Sequence, residues 1–383
     1  MAETAAHLVD HVFPQVPVRQ WVLSLPKRLR YFLHHEPALI GPVLRIFLDA
    51  VEDRLKVSSP GALAEARFGA VTFVHRFGSA LNANLHFHCA VIDGVFGAQG
   101  ERVQFREARL LCADIAAVQR AARTRVLRLF ARRGLIPPEA AAEMRQWEHG
   151  GGFSLDAVVR IEATDRKGLE RLLRYCARPI FASERLLWAQ PAARRGQGRA
   201  LHAAPRMQRL IYQLPKPRPD GQTVLSLTPM EFFERLATLI PPPRRHRHRY
   251  HGVLAPNAPL RAAVTAHAGL PMAGSAQGSS RPAPTPAQAA TEKSRSPSTY
   301  LWAMLLARIY EVFPLRCPRC GEPMRLIAFV TDSGSITRIL AYLGEPTKAP
   351  HIAPAARGPP WEEDFDTREG DTFALSEPLP EYE

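Results

Sequence analysis

Apolar positions alternate, or run unbroken, over stretches of strand length, and recur at helical spacing elsewhere. RQWVLSLP (19–26) reads as a short strand stopped by Pro26. GAVTFVHRF (69–77) and NLHFHCAVI (84–92) are rich in β-branched and aromatic residues and predict two more strands, and FSLDAVVRIEA (153–163) predicts another. In PALIGPVLRIFLDAVEDRL (37–55), Leu39, Val43, Leu44, Phe47, Leu48 and Val51 fall on one helical stripe. EARLLCADIAAVQRAARTRVLRLFARRG (107–134) predicts a long basic helix ended by Gly134, and Asp165 predicts the cap of a helix through RKGLERLLRYCARP that Pro179 stops. Asp93-Gly94 has the composition of a hairpin turn into VFGAQGERVQF. The order β-α-β-β-(β)-α-β-α predicts an α+β fold: an antiparallel sheet palm with helices on one face, not a doubly wound parallel sheet.

Further along, QRLIYQL and QTVLSLT flank the turn RPDG, and PMEFFERLATLI predicts a helix. The expected organisation is a main domain over 1–235 and a basic segment over 236–268. A Gly/Ser/Pro/Ala-rich linker (269–298), a C-terminal module with a helix and a Cys-x-x-Cys (299–344) and an acidic, Pro-rich disordered tail (345–383) complete it.

The charge is segregated. The chain carries +14; its last 39 residues hold ten acidic and three basic groups, a local −7, so the remainder carries +21. A basic body of that size suits a nucleic-acid partner, although an Arg-, Ala- and Pro-heavy composition also fits a GC-rich genome. Five scattered cysteines argue against a disulfide framework and for a reducing compartment. No signal-peptide pattern opens the chain and charge interrupts its apolar runs, so the expectation is a soluble, cytoplasmic, nucleoid-associated protein without a membrane partner.

Against this background LHFHC stands out. On a strand, His86 and His88 point to the same side and Phe87 to the other, so two imidazoles can share one cation. With fourteen histidines a chance His-x-His is common, and His246/His248 in RRHRHRYH is another, read as phosphate contact or solvated surface. Tyr175 is the candidate nucleophile. It lies at the edge of a stripe formed by Leu169, Leu172, Leu173 and Cys176, with Arg171, Arg174 and Arg178 around it, an exposed tyrosine among guanidiniums that could fix a phosphodiester. An ordinary boundary tyrosine has the same pattern. Cys317 and Cys320 make half of a tetrahedral zinc site, with no second cysteine pair to complete it.

FVHRFGSALNANLHFHCAVIDGVF, GLERLLRYCARPIFASERL and RYHGVLAPN resemble three signature blocks of bacterial rolling-circle insertion-sequence transposases. The opening AAHLVDHVFPQVPVRQWVLSLPKRLRY and LRCPRCGEPMRLIAFVTD are similar as well, so the resemblance covers most of 1–345. It implies a His-hydrophobic-His (HUH) nuclease palm, ferredoxin- or RRM-like, that nicks and rejoins single-stranded DNA. Carried onto this chain, it implies His86 and His88 as ligands of Mg²⁺ or Mn²⁺ and Tyr175 as the nucleophile that forms a 5′-phosphotyrosine. Imidazoles alone would suit Zn²⁺ equally.

His75, of matching parity on the neighbouring strand, and Asp93 compete as third ligand. Arg171, Arg174 and Arg178, with Arg244, Arg245 and Arg247 of the basic run, are the candidate DNA contacts, and zinc is open at Cys317 and Cys320. Two departures matter. Some relatives carry a second tyrosine four residues before the first, where this chain has Arg171, and many carry a cysteine-rich zinc-binding segment ahead of the point where this one begins. The alternatives are therefore a replication initiator or relaxase of the same chemistry, a shortened DNA-binding remnant that no longer cuts, and, without an adjacent general-base Glu to support it, a zinc hydrolase or deaminase.

Overall fold

The structure, a computed structural model, describes residues 1–99, 102–181, 183–189, 209–215, 217–218, 220–240, 246, 248–268, 302–310, 317, 320–322, 324 and 330–347. The linker 269–298, the tail beyond 347 and Arg244, Arg245 and Arg247 lie outside them. In chain order the elements are α1 (Ala2–His11), β1 (Val18–Ser24), α2 (Lys27–His35), α3 (Ile40–Ser58), β2 (Gly69–Phe77), β3 (Ala83–Ile92), β4 (Gly94–Gln99), β5 (Arg102–Glu107), α4 (Cys112–Arg132), α5 (Pro138–Gln146), β6 (Ser154–Asp156), β7 (Arg160–Ile161) and α6 (Arg166–Cys176). There follow β8 (Leu186–Trp188), β9 (Leu210–Gln213), β10 (Val224–Leu227), α7 (Pro229–Leu239), β11 (His248–Gly252), α8 (Arg261–Thr265), α9 (Trp302–Tyr310) and α10 (Ser333–Leu343).

The fold is α+β. Its main sheet runs β11-β2-β3-β1-β6, with β7 also on β1 and every pairing antiparallel. Helices cover both faces, which corrects the expectation of one. Leu85, Phe87, Cys89 and Val91 of β3 bury against α2, α3 and α4 through Leu29, Phe47 and Phe130. Ala90 and Ile92, with Val71 and Phe73, bury against α1 and α6 through Leu8, Leu169 and Leu172. A strand with both parities apolar cannot leave either face in water. A smaller sheet, β10-β9-β8, packs with α7 around Phe77 and Leu81 at one end.

Local differences have local causes. The long helix starts at Cys112 because Glu107 is taken up in the ladder of β5 with β4, and it stops at Arg132, two residues before Gly134, whose φ of +70° suits the stop. The 153–163 strand is split into β6 and β7, where Asp156 Oδ1 accepts from Val158 N (2.6 Å). Asp93-Gly94 is not a hairpin turn: β3 pairs with β1 and β2, and β4 with β5. Gly94 is needed for another reason, since a Cβ there would stand 2.3 Å from Arg106 O. The basic segment is not separate from the palm, because β11 forms the sheet edge on β2. His248 is half-buried beside Phe73, correcting the reading of a solvated pair, while His246 is exposed. α9 is tied to α1 and α6 by Arg308, which pairs with Asp10 and Glu170.

Asp93 is no ligand candidate. Its carboxylate is fully buried, takes two hydrogen bonds from Arg19 (2.9 and 2.8 Å) and one from Arg160 (2.8 Å), and so joins β1, β3 and β7. Asp93→Ala would leave the Arg19 guanidinium with only the Ala157 carbonyl, while Arg160 keeps Glu107 and Glu162, and we expect it to cost about 3 kcal/mol in urea unfolding. A loss below about 1 kcal/mol would contradict that role.

Candidate active site

Strand register builds the site. His75 of β2 lies opposite His86 of β3, while Phe73 and Val22 flank His88 on the neighbouring strands, so all three histidines share one face. They are 3%, 6% and 0% exposed. One ligand atom from each lies within 4.8 Å of the other two, the one such cluster among the described residues. Ring centroids are 4.3 Å apart for His75–His88 and 4.9 Å for His86–His88.

Their hydrogen bonds set which nitrogen is available. A carbonyl only accepts, so His75 donates from Nε2 to Cys176 O (2.7 Å), which leaves Nδ1 buried and without a hydrogen-bond partner. His86 donates from Nδ1 to Asn84 O (2.9 Å), which leaves Nε2 as the lone-pair nitrogen. At His88, Gln20 Nε2 donates to Nδ1 (2.9 Å). Burial first, then the neighbouring imidazoles and Arg178, push His75 well below the usual range; burial and Arg178 do the same to His88. Both imidazoles are neutral near pH 7, the form that binds a metal.

α6 brings Tyr175 against this cluster. Asp165 caps the helix by accepting from Gly168 N (2.7 Å), and its apolar stripe seats it on the histidine face. The Tyr175 and His88 ring centroids are 5.7 Å apart. The tyrosine is not exposed as expected: only 6% of it is, and its hydroxyl is buried without a hydrogen-bond partner. The stripe is broader than four residues, because α1 packs over this part of α6 as well.

Of the arginines, Arg178 lies over the Tyr175 ring at 4.5 Å. Arg174 is buried and acts on Glu170. No hydrogen bond, ion pair or ring contact joins Arg171 to the cluster among the described residues. Cys317 is half-buried and Cys320 exposed, and no third metal-ligating side chain joins them among the described residues. The sequence did not single out Gln20, and it placed Cys176 only in the apolar stripe of its helix. Gln20 is a polar position of inward parity in β1, a readable signal, whereas a carbonyl contact such as that of Cys176 has none.

A linkage consequence follows for the metal-free protein. His75 and His88 titrate near 6.5 when unfolded and lower when folded, so below that pH the unfolded chain takes up protons that the folded one refuses. Stability should therefore fall as pH drops below about 6.5 and continue to fall down to the depressed folded values. Asp156 and Glu170, raised by burial, work in the opposite direction but in the carboxylate range. Melting temperatures across about pH 8 to 5 test this; a flat profile would contradict it.

A family model described as "Putative transposase" matches residues 69–261, which span β2 to the start of α8 and contain all three histidines and Tyr175. Comparison with curated proteins and with solved structures gave no match. No helix among the described residues is long and apolar enough to cross a membrane. With the match extending over half of its 383 residues, and with the histidine face and the tyrosine helix inside it, the chain belongs to this transposase family.

Proposed function

We propose that this transposase cuts and rejoins single-stranded DNA through Tyr175, by rolling-circle transposition, with His75, His86 and His88 holding one divalent ion. The observation that carries this reading is the convergence of three buried histidines beside one buried tyrosine. A histidine triad serving only as core filling would be an odd choice, since each imidazole must be desolvated and kept neutral.

The donor set fits a metal. His75 offers an orphaned nitrogen and His86 a lone pair, and three neutral imidazoles suit a first-row ion better than Mg²⁺, which prefers oxygen. Mn²⁺ is thus the better match of the two expected ions. The ion would polarise the scissile phosphate.

The chain's own groups do the rest. Tyr175 Oη attacks phosphorus: the Oη–P bond forms, the P–O3′ bond breaks, and the hydroxyl proton leaves for the departing 3′ oxygen or solvent. The 5′-phosphotyrosine keeps the bond energy for rejoining by a 3′-hydroxyl. Arg178, now over the ring, can exchange the ring face for the phosphate, which would neutralise charge there.

The test is incubation with single-stranded oligonucleotides and Mn²⁺ or Mg²⁺, read as a denaturant-resistant protein–DNA adduct with a free 3′-hydroxyl on the released fragment. DNA binding without adduct under any metal would favour a non-cleaving remnant. Adduct formation at a replication origin but not at transposon ends would favour an initiator or relaxase.

A further inference from the structure

The Cys176 residue that follows Tyr175 is tied to two of the three histidines. Its carbonyl accepts from His75, and its Sγ lies 3.8 Å from Gln20 Nε2, the same nitrogen that stands 2.9 Å from His88 Nδ1. Gln20 is 2% exposed, and its Oε1 is buried with no hydrogen-bond partner. Burial pushes the Cys176 thiol up to about 12, so it is neutral and can only accept weakly or donate weakly here.

One amide NH₂ therefore has two acceptors within reach, an imidazole nitrogen and a sulfur. That arrangement fixes the tautomer of His88. With Nδ1 accepting, the single proton of a neutral imidazole sits on Nε2 and points away from Gln20. In that form His88 is a donor, not a ligand. A half-turn of the Gln20 amide would present Oε1 to Nδ1 instead; Nδ1 would then carry the proton and Nε2 would keep its lone pair for a metal. Amide oxygen and nitrogen have nearly the same shape, so the turn costs little steric energy.

Resting on the metal reading above, we propose that Gln20 is a positioning residue for His88. Its amide nitrogen faces the imidazole in the structure, and its oxygen would face it with the divalent ion bound. Cys176, on the tyrosine helix, stabilises the first orientation through its sulfur while its carbonyl holds His75. Loading the ion would thus loosen the tie between α6 and β1 and leave the Cys176–His75 tie between α6 and β2 in place.

Imidazole tautomers can be read directly from long-range ¹H–¹⁵N correlation spectra. Metal-free wild-type protein should show His88 protonated at Nε2, and titration with diamagnetic Zn²⁺ should move the proton to Nδ1. Gln20→Glu, whose carboxylate can only accept, should hold His88 in the Nδ1–H form without metal and keep ion affinity at or above the wild-type level. Gln20→Leu, which offers neither group, should weaken Mn²⁺ binding by about 10–100-fold in calorimetry.

Wild-type His88 already protonated at Nδ1 without metal would overturn the proposal, as would unchanged Mn²⁺ affinity in a folded Gln20→Leu variant. If the wild type binds no ion, the metal reading fails separately. The metal-free spectra then decide: a different His88 tautomer in Gln20→Glu upholds control by Gln20, and the same tautomer overturns it.

Discussion

Tyr175→Phe is expected to abolish the covalent DNA adduct, lowering strand cleavage by about 10⁴-fold or more, the scale on which loss of a nucleophile acts. The same variant should fold as well as the wild type. The Tyr175 hydroxyl is buried and has no hydrogen-bond partner, so the wild-type chain bears the cost of its desolvation without return. Removing it leaves the ring, its packing beside His88 and the Arg178 contact intact. Thermal stability should therefore be unchanged or raised by up to about 1 kcal/mol. A purely structural tyrosine would give the reverse combination, loss of stability with little loss of cleavage. An adduct that persists in Tyr175→Phe would move the nucleophile elsewhere on the chain.

How far this site could be read from the sequence differs from residue to residue. His86 and His88 share a face by strand parity alone, and nothing in the tertiary structure was needed for that. His75 needed the pairing register of β2 on β3, which an eleven-residue separation through a loop does not determine; parity allowed it and the observed His75–His86 pairing brought it in. Asp93 was excluded by Arg19 and Arg160, whose distances along the chain (74 and 67 residues) put the contact beyond any local pattern. Tyr175 was identified as a residue but misread in burial, because helix periodicity shows one face of α6 and cannot show that α1 covers the next. The same limit explains the helices on both faces. Apolar residues at both parities of NLHFHCAVI signal a strand buried on two sides, yet two histidines within it read as a polar face until their burial is known.

His86→Ala is expected to remove divalent-ion binding, with Mn²⁺ affinity falling by more than about 100-fold, and to remove the adduct with it. The readout that isolates the ion is stability. An ion that binds only the folded chain stabilises it by about 2.7 kcal/mol at a hundred times its dissociation constant, so saturating Mn²⁺ should raise the wild-type melting temperature by several degrees. The same Mn²⁺ should leave His86→Ala unmoved. His75→Ala should behave likewise, because its Nδ1 is buried in the cluster without a hydrogen-bond partner. The double variant should be little worse than either single one, since donors that close on one ion act as a unit and their losses do not add. Equal Mn²⁺ stabilisation of wild type and His86→Ala would place the ion elsewhere. The triad would then be a desolvated polar core beside Tyr175, and the tyrosine would have to cut without it.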